Sequence, residues 1–140
     1  MRTLLDTCVI SEILRPQGAD RVKQRVDAVA DEDLFVSVIT LGEIAQGVAL
    51  ADPGKKRDHY ARYLQSMEQD FDHRVVPVDT ETAQIWGKLA GLHRKKGRAL
   101  SVPDGLIAAT TIRHGFHLLT RNIKDFEETG ALLVNPWEDA

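Results

Sequence analysis

The chain is poor in cysteine, in surplus positive charge and in long apolar runs, and each shortage excludes something. Its one cysteine, Cys8, excludes an internal disulfide and any cysteine-based zinc cluster. With 18 Lys and Arg against 21 Asp and Glu, the formal charge is −3. A protein held to nucleic acid mainly by bulk positive charge is therefore excluded. A nuclease is not, because a metal ion among carboxylates supplies positive charge locally. No stretch approaches the ~20 apolar residues needed to cross a bilayer. The N-terminal run meets Asp6 before the core of a signal peptide could form. With no secretion signal and no cysteine pair, the expected compartment is the cytoplasm. There is also no internal repeat, low-complexity tract or linker-like segment, so residues 1–140 are expected to form a single domain.

What is present is ordinary for a globular chain, 43% hydrophobic and 28% charged residues, which argues against disorder. Short apolar runs alternate with helical periods. Strands are predicted at Thr3–Leu5, 34–38, 75–78, 117–120 and 132–134, with Pro77 favouring a strand end. Helices are predicted at 7–14, at 20–30 through Val22, Val26 and Val29, and at a segment carrying Leu41, Ile44, Ala45 and Val48. Further helices cover 55–67, 80–96 and a segment opened by Ser101-Val102-Pro103-Asp104, whose stripe is Gly105, Ala108, Ala109 and Ile112. Buried strands alternating with helices predict an α/β fold, a three-layer α/β/α sandwich around a mostly parallel sheet.

In such a sheet, ligands bind beyond the carboxyl ends of the strands. Asp6 follows the first strand, Thr40-Leu41-Gly42-Glu43 the second, and Thr120-Arg121-Asn122-Ile123-Lys124-Asp125 the strand at 117–120. Each acid has a plain alternative. Asp6 can cap a helix, Thr40-x-x-Glu43 matches a capping box, and Ser101-x-x-Asp104 and Asn122-x-x-Asp125 are looser relatives. Glu43 lies about 200° round its helix from Leu41, away from the apolar stripe. The functional alternative is that several carboxylates meet and repel one another unless a cation sits among them. Magnesium, with its preference for oxygen ligands and retained waters, suits that arrangement and a phosphodiester substrate.

Four ordered motifs and a tail resemble a known family. Leu4-Leu5-Asp6-Thr7-Cys8-Val9-Ile10-Ser11-Glu12 resembles the opening motif of PIN-domain ribonucleases, most closely VapC-type toxins and their FitB-like branch. The likeness continues through Ser37–Ile44, Pro103–Thr110, Leu119–Phe126 and Val134-Asn135-Pro136-Trp137. It implies a magnesium-dependent endoribonuclease, with Mn²⁺ as a possible substitute, acting as the toxin of a type II toxin–antitoxin pair. Asp6 and Asp104 match the family's metal-binding acids and Glu43 its third acid. The fourth position, often Asp, falls on Asn122, which brings no charge, so a second tightly held metal is in question and Asp125 is a candidate to compensate. The implied reaction leaves 3′-hydroxyl and 5′-phosphate ends, through a metal-activated water oriented by Glu43. The implied partners are RNA, an antitoxin whose peptide arm enters the acidic cleft, and a second copy of the chain. Contact with DNA would come only through the antitoxin, and no membrane is implied.

Other features are read more plainly. Cys8 stands where the family often has Asn or Ser, and the expectation is a small buried apolar residue rather than a nucleophile. Lys55-Lys56-Arg57 and Arg94-Lys95-Lys96-Gly97-Arg98 are either solvated helix ends or guides for RNA phosphates. The five histidines lack metal-ligand spacing, and Trp86 and Trp137 are expected in packing. A haloacid-dehalogenase-like phosphatase is rejected because position 8 is Cys where a second acid is wanted. The alternative kept open by Asn122 is a catalytically weak PIN-fold module that binds RNA and an antitoxin.

Overall fold

The computed structural model describes residues 1–138; the last two residues of the expected domain lie outside the described residues. Its elements are β1 (Thr3–Leu5), α1 (Thr7–Leu14), α2 (Asp20–Asp27), β2 (Leu34–Ser37), α3 (Val38–Leu50), α4 (Lys55–Phe71), β3 (Val75–Val76), α5 (Thr80–Lys95), α6 (Val102–His114), β4 (His117–Leu119), α7 (Ile123–Phe126) and β5 (Leu132–Val134). The five strands form one sheet in the order β3-β2-β1-β4-β5, and every neighbouring pair is parallel. The chain builds outward from β1 on one side through β2 and β3, then returns to the other side through β4 and β5. The order therefore reverses between β1 and β4, which run in register from Thr3↔His117 to Leu5↔Leu119.

Strand periodicity assigns the core residues to two faces. Leu5, Leu34, Val36 and Leu119 pack with Val9 and Ile10 of α1, Val22 and Val26 of α2, Ile44 of α3 and Met67 of α4. Leu4 and Leu118 pack on the opposite face with Ile107 and Ala108 of α6, Phe116 and Phe126, joined by Phe35 and Leu89. A parallel sheet covered on both faces is the three-layer α/β/α sandwich that the pattern predicts.

Several boundaries differ for identifiable reasons. Helix α3 begins at Val38 because the Ser37 hydroxyl accepts the Ile39 N–H at 3.0 Å. Thr40 is thus inside the helix, and no Thr40–Glu43 capping box forms. β3 stops at Val76, since Pro77 has no N–H to continue the ladder. Helix α2 ends at Asp27, three residues early, where the chain turns through a 3₁₀ segment, Asp31–Asp33, into β2. Helix α4 runs on to Phe71, which packs against the first core cluster. On α6, Gly105, Ala108 and Ala109 are buried as expected, whereas Ile112 is 37% exposed. Thr110 and Thr111 take the remaining buried positions, each hydroxyl donating at 2.8 Å to a carbonyl one turn back, those of Leu106 and Ile107.

Gly105 sets how closely α5 and α6 approach. A Cβ there would lie 2.7 Å from Cδ1 of the Trp86 indole, so any larger residue would force the N-terminus of α6 outward. Asp104, its neighbour in sequence, rides on that approach.

Candidate functional site

The sheet reverses between β1 and β4, and the residue after β1 is Asp6. Its backbone N–H donates to the Leu119 carbonyl of β4 at 3.0 Å, continuing the ladder one residue beyond the strand. Its side chain is 3% exposed and lies under three donors. The Thr7 N–H donates to Oδ1 at 2.8 Å, the Thr120 hydroxyl to Oδ2 at 2.8 Å, and the Cys8 thiol to Oδ2 at 3.5 Å. The capping role and the site role thus coexist in one carboxylate. Burial raises the Asp6 carboxyl above its ordinary range despite those hydrogen bonds, and the like charge of Asp104 pushes the same way.

Asp104 comes from the opposite layer. Ser101 caps α6, its hydroxyl accepting the Asp104 N–H at 3.2 Å, which places the acid in the first helical turn. It is half-buried. Burial again raises its carboxyl, with Ser101 opposing and the charge of Asp125 adding to the rise. Asp125 itself is exposed in the short helix α7. Asn122 stands at the start of that helix without a side-chain capping bond; its N–H donates to the Thr120 hydroxyl at 3.0 Å, and its carbonyl accepts from the Asp125 N–H at 3.1 Å.

Glu43 reaches the site through Thr7. The Thr7 hydroxyl donates to Glu43 Oε1 at 2.6 Å and lies 3.1 Å from the Thr40 hydroxyl, which is buried. One threonine next to Asp6 therefore ties α1 to α3. The structure brings together Asp6, Asp104 and Asp125 by charge and Asp6, Thr7, Thr120 and Glu43 through the chain. Among the described residues, no three Asp, Glu, His or Cys side chains converge into a ready-made cage for a cation.

Cys8 is half-buried rather than in the core, with Sγ 3.8 Å from the Thr120 hydroxyl. Burial, then the neighbouring Asp6 charge, pushes its thiol up to about 11, the opposite of an activated nucleophile. A cleft of about 650 Å³ opens beside Glu43 and Thr7, walled by Leu14, Ile44 and Val48, with Arg15, Lys56, Arg57 and Tyr60 also lining it. Part of the first basic cluster thus faces the candidate site. In the second, Arg98 pairs with Glu128. His93 is buried with Nδ1 2.9 Å from the Leu89 carbonyl, and Nε2 of His59 is 3.1 Å from the Leu14 carbonyl. Neither bond involves an acid of the site.

Residue-by-residue reading missed Glu12. It is 8% exposed on the buried side of α1, and its Oε2 accepts the Trp137 indole N–H at 3.2 Å. The available signal was an acid placed three residues after Val9, in an otherwise apolar stripe.

The PIN domain family matches residues 3–132. The chain is 38% identical over 137 residues to Toxin FitB of Neisseria gonorrhoeae, covering 97% of this chain and 99% of that protein. It is 34% identical over 138 residues to VapC ribonuclease Y4jK of Sinorhizobium fredii, covering 98% and 99%. Among solved structures, FitAcB from Neisseria gonorrhoeae superposes with a TM-score of 0.87 at 38% identity, covering 96% of this chain and 98% of that one. FitAB bound to an IR36 DNA fragment gives 0.88 at 37% identity, covering 99% and 97%.

Proposed function

The chain belongs to the PIN domain family, and from that premise we propose that it is a divalent-metal-dependent endoribonuclease, the toxin of a type II toxin–antitoxin pair. One observation carries the reading. A carboxylate that is 3% exposed, Asp6, sits at the sheet's switch point with a second acid, Asp104, close enough to disfavour its charge. Burying like charges is costly unless a cation is shared between them. The donors are hard carboxylate oxygens, the ligand type magnesium prefers while it keeps several of its waters for a phosphate substrate. Asp6 and Asp104 would hold the ion, with Mn²⁺ able to replace Mg²⁺. When bound, the ion supplies positive charge to a phosphate oxygen and acidity to a coordinated water.

The chain's own residues do the rest. Thr7 and Thr120 keep the Asp6 carboxylate oriented, one through its N–H and one through its hydroxyl. Glu43, held by the Thr7 hydroxyl, orients the attacking water or accepts its proton. Asp125 adds negative charge beside Asp104, and Asn122 offers an uncharged carbonyl oxygen where the family often has an acid. RNA is the substrate. The relatives' names, toxin and ribonuclease, and the neighbour solved as FitAB bound to DNA support an antitoxin partner. On this reading the antitoxin's arm enters the acidic cleft, the chain pairs as a homodimer, and DNA is contacted only through the antitoxin. A cytoplasmic location fits these roles, and no helix of the described residues is long and apolar enough to cross a membrane.

The departure at Asn122 favours a second reading, a catalytically weak module that binds RNA and an antitoxin. RNA cleavage by antitoxin-free protein with Mg²⁺, Mn²⁺ or EDTA, beside an Asp6→Asn/Asp104→Asn control, separates the two. Metal-dependent cutting that disappears in the folded control is the expected result. Retained RNA binding without cutting would establish the second reading, and cutting that persists in the control would refute the site.

A further inference from the structure

Glu12 is a nearly buried acid that the proposed chemistry does not use. Its Oε1 accepts the Arg15 guanidinium at 2.7 Å, while Oε2 accepts the Ala19 N–H and the Trp137 indole N–H, each at 3.2 Å. The same tryptophan is held from two further directions. Its N–H donates to Asn135 Oδ1 at 2.9 Å, and its carbonyl accepts from Arg21 at 3.0 Å. The Arg121 guanidinium lies over its ring, 5.1 Å from the centroid. Two arginines from separate segments thus sit on one carboxylate and one indole, with a third on the main-chain carbonyl of the same tryptophan, in a protein whose formal charge is −3.

The position of this cluster matters. Arg121 directly follows Thr120, whose hydroxyl bonds Asp6. Arg15 lines the cleft that Glu43 and Thr7 also line. It stands nine residues beyond Asp6, ~13 Å along the direction of α1 at the rise of a helix. The outer faces are available, since Arg121 is exposed and the Arg15 side chain is 55% exposed. Guanidiniums seated on a fixed carboxylate and a fixed ring lose little further freedom when a phosphate arrives. One face of the Trp137 ring is already occupied by Arg121.

A site built from Asp6 and Asp104 repels a polyanion, and the chain's net charge supplies no attraction to offset it. We propose that Arg15 and Arg121, seated by Glu12 and Trp137, form a phosphate platform that holds the RNA backbone beside the cleaved bond. This rests on the ribonuclease reading for its substrate. Arg15 and Arg121 contact the strand; Glu12 and Trp137 are positioning residues that never touch it.

The test uses the full chain carrying Asp104→Asn, so that RNA is bound without being cut. Affinity for a single-stranded RNA oligonucleotide is measured by fluorescence anisotropy between 50 and 300 mM salt. Each phosphate contact contributes about 0.7 to the slope of log K against log salt for a single strand. Arg121→Gln and Arg15→Gln each lower the slope by about 0.7, and the pair by about 1.4. Trp137→Leu removes no charge, yet it lowers the slope by most of one contact, and Trp137→Phe, which restores a ring beneath Arg121, recovers it. In the active chain, the arginine variants raise KM and leave kcat within about twofold.

Unchanged slopes in folded arginine variants would overturn the platform. A full slope in Trp137→Leu would overturn the positioning role. If the arginine variants bind RNA normally but lose affinity for a polyglutamate probe, the surface serves an acidic polypeptide and the RNA assignment fails. If the slopes shift as stated while the unmodified chain cuts no RNA, the platform stands and the ribonuclease reading fails.

Discussion

Replacing Asp6 by asparagine should abolish cleavage and make the metal-free protein more stable. The amide keeps the shape and the Thr7 bond, reverses the Thr120 bond and gives up the long one from Cys8. Its oxygen can accept the Thr7 N–H in place of Oδ1, and its nitrogen then faces the Thr120 hydroxyl in place of Oδ2. That hydroxyl has two acceptor positions and receives one bond, from the Asn122 N–H, so a second donor is accommodated. What disappears is a desolvated charge close to Asp104. Burial, foremost, raises the Asp6 carboxyl in the folded chain, and Asp104 adds to the rise. A carboxyl raised on folding contributes stability in acid, below its unfolded value, and loses that contribution as pH rises through the folded value. The wild type is therefore penalised at neutral pH and the variant is not. Relief of such a site is worth about 0.5–2 kcal/mol, a rise in Tm of about 2–6 °C for a domain of this size. Thermal melts in EDTA from pH 4 to pH 8 should show the two proteins converging in acid and diverging toward neutrality. Mg²⁺ should then stabilise the wild type, by about 2.7 kcal/mol at a hundredfold excess over Kd, and leave the variant unmoved. A variant less stable than wild type by the same margin at every pH would refute the reasoning, because Asp6 would then be a helix cap and nothing more.

Three further outcomes follow from single contacts. Thr7→Val removes the 2.6 Å bond to Glu43 and strands the buried Thr40 hydroxyl; a loss of about 1–3 kcal/mol in urea melts and a fall in kcat are expected, and full activity would show that Glu43 needs no anchor. Gly105→Ala sets a Cβ 2.7 Å from the Trp86 indole, so it should cost about 1–3 kcal/mol of overpacking and alter tryptophan fluorescence, whereas an unchanged melt would mean that α5 and α6 part freely. The Cys8 thiol, pushed up to about 11, should react with iodoacetamide at pH 8 about two to three orders of magnitude more slowly than a free thiol, and rapid alkylation would contradict its burial beside Asp6.

Much of the architecture was legible because its signals are local. Helix α1 announces itself by Asp6 and the apolar positions after it, and the two-residue period of Leu4 and Leu5 assigns the faces of β1 without any knowledge of its neighbours. The errors also have local causes. The capping box expected at Thr40 lost to Ser37, three residues upstream, whose hydroxyl reached the Ile39 N–H first. Ile112 fits a helical stripe by number but faces outward at 37% exposure, because the neighbouring threonines satisfy their hydroxyls along the helix and can be buried. Asp6, Glu43, Asp104 and Asn122 were singled out through family motifs, since spacing alone favoured capping for each acid. Glu12 and Trp137 are 125 residues apart, and no periodicity joins two such positions.

The sequence by itself determined which segments are strands and helices, which of their faces are apolar, and that acids stand at the ends of strands and starts of helices. These are consequences of side-chain period, capping chemistry and proline, all acting within a few residues. Only the tertiary structure decided that the strand order reverses between β1 and β4, which brings Asp6 beneath Thr120 and within the field of Asp104. Only it decided that Asp125 comes near enough to add its charge to that of Asp104, and that Arg15, Arg21 and Arg121 meet around Glu12 and Trp137. Charge and hydrogen bonding act through space, and the distances they depend on exist only once the layers have packed.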